Sequence, residues 1–316
     1  MRMRGHGRSA ALAVLLGTAT VAGAVGIACG SRTGLDVLGG SDTPGEEGIR
    51  DAGPDRLQVT VPRKLDCADA GTTYIYVISE ENEIYSFYPT TAEFTLIGTL
   101  ECPDPTPEAS PFSMAVDHLG AAYVVFDDGN LFHVSTKTAE CSATPFVTDQ
   151  QGIQTFGMGF VANAGDATTG ETLFVSADDE AGALATINLS TFALGVVAFG
   201  GNAVHQAELT GTGDGRLFAF VAPDPTSTPS YIDELDPRTA KILSSALLPE
   251  VVEGQGWAFG FWGGDFYTFT APGQVLHPTT IVTRYRPSDG SVVQVATAPP
   301  GVTIVGAGVS TCAPQQ

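Results

Sequence analysis

Asp117, Glu208 and Asp265 are acidic residues within or beside apolar, strand-like runs of the chain, and carboxylates held in such places can do acid–base work. Glycosidic cleavage, for example, needs one carboxyl to protonate the leaving oxygen and a second to act as nucleophile or base. The same residues have a plainer reading, in which Asp117 and Asp265 cap turns and Glu208 is solvated or hydrogen-bonded. His118, His133, His205 and His277 show no ligand-like spacing. Asp127-Asp128-Gly129 and Asp178-Asp179-Glu180 offer oxygen donors of the kind calcium takes, but they lack the EF-hand pattern, and Asp-Gly is equally a hairpin signal. No nucleophile elbow, phosphate loop or dinucleotide fingerprint stands in its required context, and the glycine-rich run from Gly211 to Gly215 joins two strand-like segments. No catalytic residue, metal or cofactor is expected.

Both tryptophans lie within six residues, in the run Trp257, Phe259, Phe261, Trp262. In a strand, the first three point one way and Trp262 the other. Large aromatics at one face usually fill a core, so Trp262 is the expected exposed contact. Asp117 and Glu208 join it as candidate binding residues.

The chain has five cysteines. Before Cys29 stand Arg2, Arg4 and Arg8, an apolar run from Ala10 to Val25, and the small residues Gly26 and Ala28, the layout of a secretory leader over residues 1–28. A cysteine directly after the small residues resembles the lipobox of bacterial lipoproteins, with Gly26 where that pattern usually has a large aliphatic. The run from Cys29 to Leu35 is similar to the mature start of many myxobacterial lipoproteins. The resemblance implies a lipid on Cys29 and an address in the cell envelope, and no activity. Gly30 in place of aspartate after the cysteine favours the outer membrane, by analogy with the sorting rules of such lipoproteins.

The leader holds three of the 14 Lys+Arg and none of the 35 Asp+Glu, so the rest of the chain carries 11 against 35, a net −24. Nucleic acid and anionic lipid surfaces demand the opposite sign, so neither is an expected partner, and acyl chains would be the whole membrane link. Residues 29–64 are rich in Gly, Pro, Asp and Glu and read as a flexible acidic tether.

From residue 65 onward the chain is repetitive. Tyr88-Pro89-Thr90-Thr91-Ala92, Ser135 to Ala139, Leu189 to Ala193, Asp236 to Ala240 and Arg286 to Gly290 each join two strand-like runs and end on a small residue. Apolar strands followed by a turn and an aromatic-rich strand recur with the same period, as in Gly157–Val161 before Leu173–Ser176. Four short strands per repeat of 40–50 residues predict the blades of an all-β propeller spanning residues 65–316. The turn pattern resembles that of many bacterial propeller repeats.

The first repeat lacks its first strand, and a matching strand stands at the other end, Thr303 to Val309. The expectation is a five-bladed β-propeller closed by the C-terminal strand, which removes exposed sheet edges. Closure makes Cys67 and Cys312 neighbours, leaving Cys102 to pair with Cys141. A zinc site is the competing use of the four cysteines, disfavoured because none stand in a Cys-x-x-Cys pair. The expected function is a lipid-anchored extracytoplasmic binding or scaffolding protein that presents a propeller to an envelope protein or glycan. The alternative is a polysaccharide-acting enzyme, since several five-bladed families are glycoside hydrolases.

Overall fold

A computed structural model describes residues 74–103, 106, 108–163, 170–178, 182–199, 206–227, 229–273, 275 and 277–316. The leader, Cys29, the tether and Cys67 lie outside the described residues.

The described residues build five antiparallel four-stranded sheets. Blade 1 runs from its inner to its outer strand as β20 (Ile304–Val309), β1 (Ile75–Ser79), β2 (Glu83–Tyr88) and β3 (Glu93–Thr99). Blade 2 is β4 (Pro111–Val116), β5 (Ala121–Phe126), β6 (Leu131–Ser135) and the short β7 (Cys141–Ala143). Blade 3 is β8 (Phe156–Ala162), β9 (Glu171–Ala177), β10 (Ala183–Asn188) and β11 (Ala193–Phe199). Blade 4 is β12 (Glu208–Gly211), β13 (Leu217–Val221), β14 (Ser230–Leu235) and β15 (Ile242–Leu248). Blade 5 is β16 (Trp257–Trp262), β17 (Asp265–Thr270), β18 (Ile281–Arg286) and β19 (Ser291–Thr297). The C-terminal strand completes the first blade as expected, with Ile75 opposite Val309 and Val77 opposite Ala307.

No blade has a core of its own. The buried apolar residues form five clusters, each shared by two neighbouring blades. One of them joins Phe87 of blade 1 to Tyr267 and Phe269 of blade 5, so the ring closes through packing as well as hydrogen bonds. Outer strands such as β15 are exposed over most of their length and read polar or mixed, while middle strands such as β13 are buried throughout. A repeat that buries its faces only against its neighbours is stable only as a closed set.

The repeated turns take one geometry. The amide of the fifth residue donates to the carbonyl of the first at Ala92, Ala139, Phe192, Ala240 and Gly290, and each of those five residues has positive φ. The third turn therefore ends at Phe192, one residue before the expected Ala193. Phe192 shares the left-handed backbone of the Ala turns, and its ring packs against the cluster between blades 2 and 3.

Inner strands meet backbone to backbone. A Cβ on Gly211 would lie 2.1 Å from the Phe160 carbonyl oxygen. Met158, Phe160, Leu209 and Val309 pack together where inner strands of four blades meet. The ring presents two faces. The N-face is where the five inner strands begin; the C-face is where they end.

Cys102 and Cys141 form a disulfide, with Cα atoms 4.9 Å apart, tying the end of blade 1 to the outer strand of blade 2. Cys312 is a disulfide cysteine as well. No helix among the described residues is long and apolar enough to cross a membrane.

Candidate functional site

The N-face carries a small pocket where inner strands from different blades begin. Phe112 of β4, Glu208 of β12, Trp257 of β16 and Val305 of β20 line it, together with Gln255 and Gly256 of the loop leading into β16; its volume is ≈ 90 Å³. The loop is held on both sides. Gln255 Nε2 donates to the carbonyls of Gly273 and Val275, and the Ala271 amide donates to the Glu253 carbonyl at 3.1 Å. Gly254 makes this possible, because its φ is +81° and a Cβ there would lie 2.1 Å from the Ala271 carbonyl oxygen.

Glu208 senses two further carboxyls at this mouth. Glu208 is 4% exposed, and Ser113 Oγ of blade 2 donates to its Oε2 at 2.8 Å, across the front of blade 3. Burial pushes the Glu208 carboxyl well above the usual range; the Ser113 bond opposes the rise, while Asp178 and Glu253 add to it through their charge. Glu253 is 2% exposed, and its Oε1 has no hydrogen-bond partner. Burial alone lifts Glu253 to about 8. Asp178 is placed by its amide, which donates to the Thr155 carbonyl at 3.0 Å. Glu253 is thus held as a neutral carboxylic acid near pH 7, and burial favours the protonated form of Glu208.

The C-face carboxyls have partners. Glu171 Oε1 accepts from the His118 amide at 2.7 Å and lies 2.8 Å from His118 Nδ1, and Thr311 Oγ1 donates to Oε2 at 2.8 Å. Burial raises the Glu171 carboxyl, and these donors pull it back. Asp117 Oδ1 accepts from the amides of Leu119 and Ala121, so it caps a turn. Asp265 pairs with Arg284 and Arg286 instead of capping one.

Asp117 and Glu208 therefore do not share a site. One follows the end of its inner strand on the C-face, and the other begins its strand on the N-face. The expectation for Trp262 is also corrected. Trp262 ends β16 on the C-face, half-buried in the seam between blades 5 and 1, with its ring edge-on to Tyr88 at 6.2 Å. Trp257, expected in the core with Phe259 and Phe261, is half-buried and lines the N-face pocket. Phe259 and Phe261 are core, as expected. Alternation along a strand tells which side a residue takes but not which end of the strand meets solvent.

Asp127-Asp128-Gly129 forms a hairpin turn, its carboxylates taken by Ser110 and Asn130, with Gly129 at φ +83°. The Gly211 to Gly215 run is likewise a turn, from β12 to β13. Asp179, Glu180 and His205 lie outside the described residues. Glu80, Glu81 and His277, all exposed on the N-face, present ligand atoms within 4.8 Å of one another. Sequence spacing gave no sign of this group, because nearly 200 residues separate its parts. Glu253 was also missed, since a loop glutamate shows nothing of its burial.

No protein-family model and no curated protein matches the chain. Among solved structures it is similar to a hydrazine synthase chain of Kuenenia stuttgartiensis, at 12% identity and TM-score 0.39 over 70% of this chain and 64% of that one. It is also similar to a chain of the mitotic checkpoint complex, at 11% identity and TM-score 0.39 over 88% and 93%. A protein of unknown function from Bacteroides caccae aligns at 12% identity and TM-score 0.41 over 74% and 97%. These likenesses carry no functional argument; the fold rests on the five sheets themselves.

Proposed function

We propose that the chain is an extracytoplasmic binding protein, anchored through a lipid on Cys29 in the outer membrane, whose N-face holds a projecting group of an envelope protein or glycan. The observation that carries this reading is the pocket itself. It joins an aromatic ring, Trp257, to a buried carboxyl, Glu208, where the inner strands begin. A pocket with one apolar wall and one polar group suits recognition. The test is binding of envelope components to the full chain and to Trp257→Ala. Loss of binding with a melting temperature lowered by only about 2–4 °C is expected; unchanged binding would contradict the reading. Cys29→Ala should in turn abolish fatty-acid labelling and release the chain from the membrane fraction.

A second reading is favoured by the carboxyls. Glu208, whose protonated form burial favours, lies in range of Asp178 and Glu253 and offers the donor and partner that polysaccharide cleavage requires. Turnover of a polysaccharide by the purified chain, abolished by Glu208→Gln, would establish it in place of the first.

A further inference from the structure

Charge is sorted between the two faces. All six Lys and Arg among the described residues, Lys137, Arg216, Arg238, Lys241, Arg284 and Arg286, lie in the turns of the C-face or on the strand ends beside them. Most have acidic partners there: Arg216 with Glu234 at 2.9 Å, Arg284 and Arg286 with Asp265, Arg238 with Asp236. The described N-face loops contain no Lys or Arg. Their loops between second and third strands supply Glu80, Glu81, Asp127, Asp128, Asp178 and Asp224, and the loop into β16 adds Glu250. The one titratable base among them is His277, 3.1 Å from Glu81. Such a face builds a negative potential that attracts cations over about a Debye length, roughly 10 Å at 0.1 M salt.

At the centre of that face sits the Trp257 pocket, and beside it lies the one carboxyl oxygen the fold buries without a partner there, Glu253 Oε1. A volume of ≈ 90 Å³ falls well below the several hundred Å³ that enclose a free small molecule. It suits a single side-chain head, and an aromatic wall with a carboxyl at its edge suits a cationic one. We propose that the N-face docks a basic polypeptide segment and that the pocket beside Trp257 receives one of its lysine or arginine side chains. This deepens, and rests on, the binding reading above. Pocket size and charge set a polypeptide ahead of a glycan.

The test uses the full chain in a non-ionic detergent and three labelled probes: a dodecapeptide of alternating Lys and Gly, its Glu–Gly counterpart, and an uncharged chito-oligosaccharide. The basic peptide alone should bind, with affinity falling at least about tenfold between 50 mM and 500 mM salt. Trp257→Ala should weaken it about tenfold. The exposed double reversal Glu81→Lys with Asp224→Lys, which disturbs no core, should weaken it several-fold, and Trp262→Ala on the other face should leave it unchanged. Binding of the basic peptide that ignores the charge reversal overturns the inference, as does binding that needs a divalent ion and is lost in His277→Ala. If the oligosaccharide binds instead and Trp257→Ala abolishes it, the inference fails while the binding reading stands. If neither neutral nor basic probe binds, the inference fails as well.

Discussion

Two buried glutamates, one on each face, sit in opposite kinds of surroundings. Glu171 on the C-face ties three blades together through His118 of blade 2 and Thr311 after the last strand of blade 1. Glu253 on the N-face is more fully buried and leaves an oxygen unpartnered. Buried polar groups are normally hydrogen-bonded, and leaving one unmet costs about 1–3 kcal/mol. The C-face thus meets its buried glutamate with donors, while the N-face leaves one oxygen of Glu253 open to a ligand.

The largest effect that would break this contrast is the pH dependence of stability. Glu253 has a folded pKa of about 8, above its unfolded value of 4.5. Below 4.5 both states are protonated and the fold suffers no penalty. As pH rises from 4.5 to 8 the unfolded chain ionises first, so stability falls, by up to about 5 kcal/mol across that window. Glu253→Gln should flatten that slope and raise the melting temperature at pH 8. If stability is level from pH 5 to 8 in the wild-type chain, Glu253 is not a buried neutral acid.

Glu171→Ala should act in the opposite sense and lower stability by about 2–3 kcal/mol, since it strands the His118 amide and the Thr311 hydroxyl. Denaturant unfolding compares the two variants directly; a stabilised Glu171→Ala would dissolve the distinction between the faces. The tryptophans give the next test. Trp262→Ala opens the seam between blades 5 and 1 and should cost about 2–3 kcal/mol, while Trp257→Ala should cost about 1 kcal/mol, being a wall of an open pocket. Equal losses would place both rings in the core. The smallest effect lies in the repeated C-face turn, where Ala92→Gly relieves a φ of +57° and should stabilise by about 0.5 kcal/mol. Urea titration resolves it, and a loss would mean the methyl packing outweighs the backbone strain.

The ring was legible because its repeats are marked by chemistry that every blade needs. A small residue ends four of the five turns, where the left-handed backbone favours one, and the missing first strand of blade 1 reappears before Ser310. Phe192 escaped the pattern because its ring packs against the cluster between blades 2 and 3, where the other turns end on Ala or Gly. The site was less legible. Glu208 stood out as an acid at the start of an apolar strand, but nothing local tells that Asp117 and Glu208 belong to opposite faces. Trp257 and Trp262 are five residues apart on one strand, and which one meets a pocket depends on how five inner strands converge. Glu253 is buried only because its loop folds onto Ala271 through Gly254, a contact that no periodicity records.

The two tryptophans of the chain, one on each face, allow the central claim to be read in a single spectrum. Their indole N–H groups give two resolvable signals in a nitrogen–proton correlation spectrum of the labelled chain, assigned with the two Trp→Ala variants. On addition of the basic dodecapeptide, the account predicts that the Trp257 signal moves in a saturable way and the Trp262 signal stays in place. A shift at Trp262 with Trp257 unmoved would show that the ring works from its other face and would contradict the account.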